Sequence, residues 1–263
     1  MPASARLAHD ADPGAIWSQF IQYTPLMENW DYEPTADFDK TPLEKLSAFP
    51  RQPDMLVYAV RLALHVVVRA WLRIYHRFRI VGRENLPLDR PFAMVANHTS
   101  HLDAVTLLSA LPLMRIQTAY PAAAKDYFFT SMSKIAFSAV VMNAMPFDRK
   151  ENPRESLALC RELLETPGHV LILFPEGTRS TTGELAVFKP GIGFLTAGTN
   201  IAVVPCFLEG GYRAWPKGAF IPRPRKLTLT IGKPMTFADL AADKDGAKVV
   251  AARLRDAVER LRS

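Results

Sequence analysis

Between residues 55 and 80 the chain reads MLVYAVRLALHVVVRAWLRIYHRFRI, with polar side chains at Arg61, His65, Arg69, Arg73 and Arg77 and apolar ones in most of the gaps. Polar residues at every fourth position predict a helix with one basic stripe that drifts slowly around an otherwise apolar rod. Beyond it, short apolar runs alternate with helical periodicity, the mark of a mostly parallel central sheet flanked by helices, an α/β fold. The strands expected are 78–82 (FRIVG), 92–97 (FAMVAN), a run around 139–146, 170–174 (VLILF), 202–208 (AVVPCFL) and 226–232 (KLTLTIG). A helix between the third and fourth has Asn152 as its N-cap, Pro153 at its first position and Gly168 as its stop. A last helix over 248–261 presents Val250, Leu254, Val258 and Leu261 as its core stripe. Ahead of all this, residues 1–54 are turn-rich, and Trp17, Phe20, Tyr23, Leu26 and Trp30 suggest one short helix. The organisation expected is therefore an arm (1–54), the basic helix (55–80) and an α/β domain (81–263).

Composition narrows the class. With 263 residues and 49% hydrophobic side chains, the chain can bury a sizeable core. Cys160 and Cys206 stand in no metal-ligand spacing and build no disulfide framework, which fits a reducing, cytosol-facing compartment. No signal-peptide core follows the N-terminus, and no run of about 18 apolar residues lacks charge, so the protein is expected to be neither secreted nor membrane-spanning. The net charge of +6 is unevenly placed: residues 1–54 hold four Lys/Arg against nine Asp/Glu, a balance of −5, and the remainder holds 28 against 17, or +11. A basic body suits phospholipid headgroups, an acidic carrier protein or nucleic acid, and net charge alone does not choose among them. The 55–80 helix tips the balance toward lipid. Its basic stripe is expected to meet lipid phosphates while Leu62, Val66, Trp71 and Leu72 enter the headgroup boundary, a monotopic anchor. A core helix with its arginines in water, or a protein-partner surface, has the same pattern.

The chemistry-bearing residues follow the strands. In parallel sheets, reactive groups sit in the crevice beyond the strands' carboxyl ends. Strand 92–97 runs into His98–Asp103, the 139–146 run into Phe147-Asp148-Arg149, and strand 170–174 into Pro175-Glu176-Gly177-Thr178-Arg179-Ser180. Five residues separate His98 from Asp103, which suits a histidine in a strand-to-helix turn and an aspartate in the first turn of the helix. Asp103 then fixes the imidazole tautomer and leaves the other ring nitrogen as a base. A G-x-S-x-G elbow is missing and neither cysteine lies near these strand ends, so the nucleophile is expected on the substrate. His98, His101 and Asp103 lack the further ligand and the glutamate base of a catalytic zinc site, so no metal is expected, and His101 is assigned to local packing. In FPEGTRS, the glycine permits a tight turn and Arg179 offers a planar fork for phosphate or carboxylate, while Glu176 suits either holding that arginine or accepting a substrate hydroxyl. FKPGIGF adds Lys189 at a further point where an anion could be met. Neither G-x-G-x-x-G nor a Walker sequence occurs, which leaves nucleotide binding unsupported.

In combination, Asn97-His98-Thr99-Ser100-His101-Leu102-Asp103 and Phe174-Pro175-Glu176-Gly177-Thr178-Arg179-Ser180 resemble the two signature blocks of the glycerolipid acyltransferases, the PlsC-like lysophosphatidic acid acyltransferases. Phe147-Asp148-Arg149 resembles that family's arginine block and Val203-Val204-Pro205 its late strand; the resemblance spans about 78–235. Ahead of Arg149, Asn143-Ala144-Met145-Pro146 departs from it, since many relatives place a glycine there. The resemblance implies transfer of a fatty acyl group from acyl-CoA or acyl carrier protein to a hydroxyl of a (lyso)phospholipid-type acceptor such as 1-acyl-glycerol-3-phosphate. It implies no separate cofactor, and its partners are the acyl donor, a lipid acceptor and the cytoplasmic face of a membrane rather than nucleic acid. His98 would be the general base and Asp103 its orienter; Arg149, Glu176, Gly177, Thr178 and Arg179 would bind the acceptor, with Lys189 helping. An acceptor that is an amine or an unphosphorylated hydroxyl, or a lipid-binding module without turnover, are the alternatives.

Overall fold

The computed structural model of the chain describes residues 49, 51, 54–125, 135–148 and 150–262. The chain divides into two compact units, Met1–Lys40 and Thr41–Ser263, and every described residue belongs to the second. The short helix expected in the arm lies outside the described residues.

Among the described residues seven strands form one sheet: β1 (Arg79–Val81), β2 (Phe92–Ala96), β3 (Ala119–Ala124), β4 (Met145–Phe147), β5 (Val170–Leu173), β6 (Ala202–Glu209) and β7 (Thr228–Ile231), in the order β1-β7-β6-β2-β5-β3-β4. All pairings are parallel except β6 with β7. The helices are α1 (Met55–Tyr75), α2 (Asp103–Ala110), α3 (Pro153–Glu165), α4 (Gly191–Thr196), α5 (Gly211–Ala214) and α6 (Lys244–Glu259). Phe92, Met94 and Ala96 of β2 belong to one apolar cluster and Ala93 and Val95 to a second. That period-two division gives a strand buried on both faces, which is why FAMVA shows no polar alternation. Within the second cluster α4 meets α6 at Gly193, where a Cβ would come within 2.1 Å of the Ala247 carbonyl oxygen, so only glycine admits this crossing.

The expected strands are present within a residue or two, with two corrections. The 139–146 run is split: residues Phe137–Val141 form a π-helical turn and only Met145–Phe147 pair as β4. Between them Asn143 takes a left-handed φ of 49°, which asparagine tolerates better than most residues, and its side-chain amide donates to the Gln117 carbonyl at 3.0 Å. β3 was not expected, because Ala-rich AYPAAA carries neither β-branched residues nor alternation. The last helix begins earlier than its apolar stripe suggests. Asp243 caps it by accepting from the amides of Asp245 and Gly246.

The basic helix is where expectation and structure part most sharply. α1 forms, capped by Asp54 accepting from Leu56 and Val57, but its polar stripe faces inward. Arg61 is buried and donates to the Ala139 carbonyl (2.8 Å), the Val140 carbonyl (2.9 Å) and the Gln117 side-chain oxygen (2.7 Å). His65, also buried, donates from Nε2 to the Val141 carbonyl at 2.8 Å, and Arg69 donates to the Leu111 carbonyl. The last carbonyls of a helical turn have no partner within it and carry a partial negative charge; Arg61 and His65 supply donors there, and Arg61 also the positive charge, since burial lowers the His65 pKa and favours its neutral ring. Burial lowers the Arg61 pKa to about 10, which still leaves it a cation at neutral pH. Leu72, expected in the headgroup boundary, is instead fully buried in the core. What faces outward is apolar: Met55, Leu56, Val60, Leu64, Val66, Val67 and Ile74 are exposed, with Arg73 at the far end. By length and composition alone α1 is also apolar enough to cross a membrane, with a mean hydropathy of 1.6.

Replacing Arg61 by Met removes three bonds to buried acceptors, and each orphaned acceptor costs about 1–3 kcal/mol. Urea unfolding of Arg61→Met is expected to show a stability loss of roughly 2–4 kcal/mol. A loss below about 1 kcal/mol would mean that the inward stripe is not what holds α1 to the domain.

Candidate active site

β2 and β5 lie side by side with Phe92 opposite Val170 and Val95 opposite Leu173, so the loops leaving them start at the same level. Asn97 prolongs β2 with its side chain: Nδ2 donates to the Leu208 carbonyl (3.1 Å), and Oδ1 accepts from the Leu208 amide (2.8 Å). His98 follows, and the β5 loop grips its backbone on both sides. Its amide donates to Glu176 Oε1 at 2.6 Å, and its carbonyl accepts from the Ser180 amide at 2.8 Å.

The His98 ring stacks on Phe174, with centroids 4.2 Å apart and planes 17° from parallel. Its Nδ1 lies 2.8 Å from Asp103 Oδ2. That same oxygen accepts from the Thr99 amide (2.7 Å) and the Ser100 amide (2.8 Å). A carboxylate oxygen gripped by two amide donors can only accept, so Nδ1 carries the imidazole proton and Nε2 is the basic nitrogen. Asp103 is the first residue of α2, where the helix dipole favours a negative charge. Its side chain is 1% exposed and that of His98 is 22% exposed, so the carboxylate is sealed from water while the imidazole reaches solvent.

Glu176 is buried, and its second oxygen accepts from the Ala186 amide at 3.0 Å. Burial raises its pKa, while the amides of His98 and Ala186 pull the other way. With both oxygens bound to main chain, Glu176 ties the β5 loop to the residue that carries the base, where acceptor contact was expected. Gly177 has a φ of 75°, and a Cβ there would lie 2.8 Å from Lys189 Nζ; glycine therefore lets the ammonium sit against this loop. The Lys189 amide donates to the Pro175 carbonyl at 2.9 Å, and Thr178 is exposed.

Arg179 donates from Nη1 to a ring nitrogen of His101 at 2.6 Å. Burial first, and then the Arg179 charge, lower the His101 pKa to about 4, so the ring is a neutral acceptor that holds the guanidinium. His101 packs in turn against Trp215, with centroids 5.1 Å apart, and its amide donates to the Trp215 carbonyl at 3.1 Å. The local packing assigned to His101 is thus specific: it sets Arg179.

Of the expected site residues, His98, Asp103, Glu176, Gly177, Thr178, Arg179 and Lys189 come together around the ends of β2 and β5. Arg149 lies outside the described residues. Its neighbour Asp148 follows β4 at the sheet edge and accepts from the amides of Glu151 (2.9 Å) and Lys150 (3.0 Å), which lower its pKa. Cys160 and Cys206 are buried and unoxidised, and burial raises both thiol pKa values, so neither supplies a thiolate nucleophile. Phe174 and Asn97 stood inside the quoted blocks with no assigned role. The Trp215 segment, 115 residues from Ser100, left no signal in spacing.

A histidine oriented by a buried carboxylate, with an arginine and a lysine on the adjoining loop and no activated cysteine among the described residues, is an arrangement that can take a proton from an acceptor hydroxyl. A model of the family described as Acyltransferase matches residues 77–209, half of the chain, and the chain belongs to that family. It is similar to the chloroplastic 1-acyl-sn-glycerol-3-phosphate acyltransferase LPAT1 of Arabidopsis thaliana, 35% identical over 196 residues that cover 70% of this chain and 52% of the relative. The 1-acyl-sn-glycerol-3-phosphate acyltransferase of Bacillus subtilis is 30% identical over 166 residues, or 62% of this chain and 76% of the relative. The chain spans about half the length of the plant relatives it matches. In fold it is similar to the crystal structure of the 1-acyl-sn-glycerophosphate acyltransferase PlsC from Thermotoga maritima, with a TM-score of 0.59, 21% identity and coverage of 94% of this chain and 90% of that one.

A His101 pKa below that of a free imidazole means the folded state favours the neutral ring. The resulting stability is present above about pH 6.5, the unfolded value, and is lost as pH falls toward about 4. An NMR titration of the His101 ring should give a midpoint near 4, shifted upward in Arg179→Ala. A midpoint near 6.5 in the unmodified protein would show that the ring does not face the guanidinium as described.

Proposed function

We propose that this chain transfers a fatty acyl group from a thioester, acyl-CoA or acyl carrier protein, to the free hydroxyl of 1-acyl-glycerol-3-phosphate at a membrane surface. The observation that carries the reading is the His98–Asp103 pair: a tautomer fixed by a sealed carboxylate, with its basic nitrogen on the exposed side. His98 Nε2 takes the acceptor's hydroxyl proton as that oxygen attacks the thioester carbonyl. A tetrahedral oxyanion forms. It collapses with cleavage of the C–S bond, and the departing sulfur takes the proton back from the imidazolium, which restores the base. One ester forms and one thiol is released, with no acyl-enzyme.

Asp103 stabilises the transient imidazolium, and its three hydrogen-bond donors keep it from wandering with the ring. In this reading Arg179 and Lys189 receive the acceptor's phosphate, with Gly177 allowing close approach; Arg149, outside the described residues, is assigned the same role. The names of the relatives support the phosphorylated acceptor. The exposed apolar side of α1 is read as the surface that rests in the cytoplasmic leaflet, the reverse of an anchor led by its arginines. Each Leu, Val or Ile withdrawn from water there contributes roughly 1.5–3 kcal/mol, and Arg73 at the end of the helix can reach the headgroups.

Purified His98→Ala is expected to fold normally and lose acyl transfer by about 100- to 10,000-fold. Arg179→Ala should mainly raise the KM for 1-acyl-glycerol-3-phosphate and spare that for acyl-CoA. Turnover retained in His98→Ala would overturn the base assignment, and an unchanged acceptor KM in Arg179→Ala would favour an unphosphorylated acceptor.

A further inference from the structure

The segment 211–226, GYRAWPKGAFIPRPRK, leaves β6, forms α5 and returns toward β7. The acyl-transfer chemistry uses none of its side chains. Phe220 is 96% exposed and Ile221 77% exposed, side by side on a loop tip. A tip that served only to join β6 to β7 would gain nothing from two large apolar side chains held in water, and the backbone on either side of this one is tied down. The Trp215 indole N–H donates to the Ala219 carbonyl at 2.8 Å, and the Arg223 amide donates to the Ala214 carbonyl at 2.8 Å, closing the loop on both sides of the tip. Around it stand Arg213, Lys217, Arg223, Arg225 and Lys226, all exposed, and the segment contains no acidic residue. An apolar tip in a purely basic collar has the pattern of a side-chain wedge that enters a bilayer while its flanks meet lipid phosphates.

The loop is also bound to two other parts of the molecule. Toward α1, the Tyr75 hydroxyl donates to the Pro222 carbonyl at 3.0 Å, His76 Nδ1 bonds the Arg225 carbonyl at 3.1 Å, and the Leu227 amide donates to the His76 carbonyl at 3.1 Å. The tip is therefore fastened to the end of the helix whose outward side is apolar. Toward the base, the Trp215 carbonyl accepts from the Ser100 hydroxyl (2.9 Å) and the His101 amide (3.1 Å), two residues of the His98–Asp103 turn.

We infer that the Phe220–Ile221 tip is a second membrane contact, inserting into an anionic phospholipid surface and holding the mouth of the His98 site at the lipid interface. α1 supplies the first contact. Two separate contacts on one domain set its orientation on the surface more firmly than the outward side of α1 does alone. The inference rests on the reading of a membrane-borne acceptor. An acidic carrier protein would also be drawn to the basic collar, but it offers no reason for two large apolar side chains to stand exposed on a loop fastened to the end of α1.

The test uses the full chain and vesicles of phosphatidylcholine alone or mixed with phosphatidylglycerol. Phe220→Ser/Ile221→Ser, at positions exposed enough to leave folding intact, should weaken partition into the mixed vesicles at least tenfold. It should also slow acyl transfer to acceptor embedded in vesicles, and leave transfer to acceptor in detergent micelles unchanged. Because Cys160 and Cys206 are buried, a nitroxide on Phe220→Cys reports depth selectively, and it is expected below the lipid phosphates. Unchanged partition of the double variant, with binding lost in Leu64→Ser/Val67→Ser, would overturn the inference and leave α1 as the anchor with the acyl-transfer reading intact. If Lys217→Glu/Arg223→Glu loses affinity for acyl carrier protein while vesicle partition stays constant, the collar belongs to a protein partner and the inference fails. A wild-type chain that binds vesicles through the tip but transfers no acyl group would sink the acyl-transfer reading and spare the tip.

Discussion

One carboxylate oxygen organises this site. Asp103 Oδ2 accepts from the His98 ring and from the amides of Thr99 and Ser100, so a single atom fixes the tautomer, the ring orientation and the path of the chain between β2 and α2. The three donors come from three consecutive residues, and Asp103 stands at the start of the helix they lead into. The loop after β5 completes the arrangement from the other side: Glu176 and Ser180 hold the His98 backbone, and Phe174 lies under its ring. The two sequence blocks therefore form one unit, in which the second block positions the residue that the first presents. Glu176 thus holds the backbone of His98, and Arg179 is held by His101 of the same turn.

The orientation of α1 follows from a different constraint. The π-helical turn Phe137–Val141 ends in carbonyls that its own amides cannot reach, and Arg61 and His65 satisfy three of them. Once the polar stripe is committed to that task, the rest of the helix surface is apolar and faces away from the domain. An arginine stripe on an apolar helix is thus compatible with two opposite placements, and the acceptors that choose between them come from residues almost 80 positions away. Periodicity revealed the stripe but not its direction.

The same distinction separates what could be read from the sequence from what could not. β2, β5 and β6 were legible because each is a continuous apolar run buried on both faces. The His98–Asp103 pair was legible because both partners lie within one turn of chain. β3 was hidden by its alanines and by Pro121, and the break between the π turn and β4 by Asn143, which adopts a conformation more often given to glycine. Glu176 was recognised as part of the site, yet its work on the His98 and Ala186 amides is a tertiary fact. The Trp215 carbonyl, which ties the base-bearing turn to a loop 115 residues later, has no trace in composition, spacing or periodicity.

Everything proposed for this site depends on Asp103 holding His98 as the neutral tautomer protonated on Nδ1, with Nε2 left unprotonated. Nitrogen-15 NMR of the histidine side chains in the folded protein above the imidazole pKa tests it most directly. The account predicts a protonated Nδ1 and an unprotonated Nε2 for His98, with that preference lost in Asp103→Ala. A His98 ring protonated on Nε2 in the unmodified protein would contradict it.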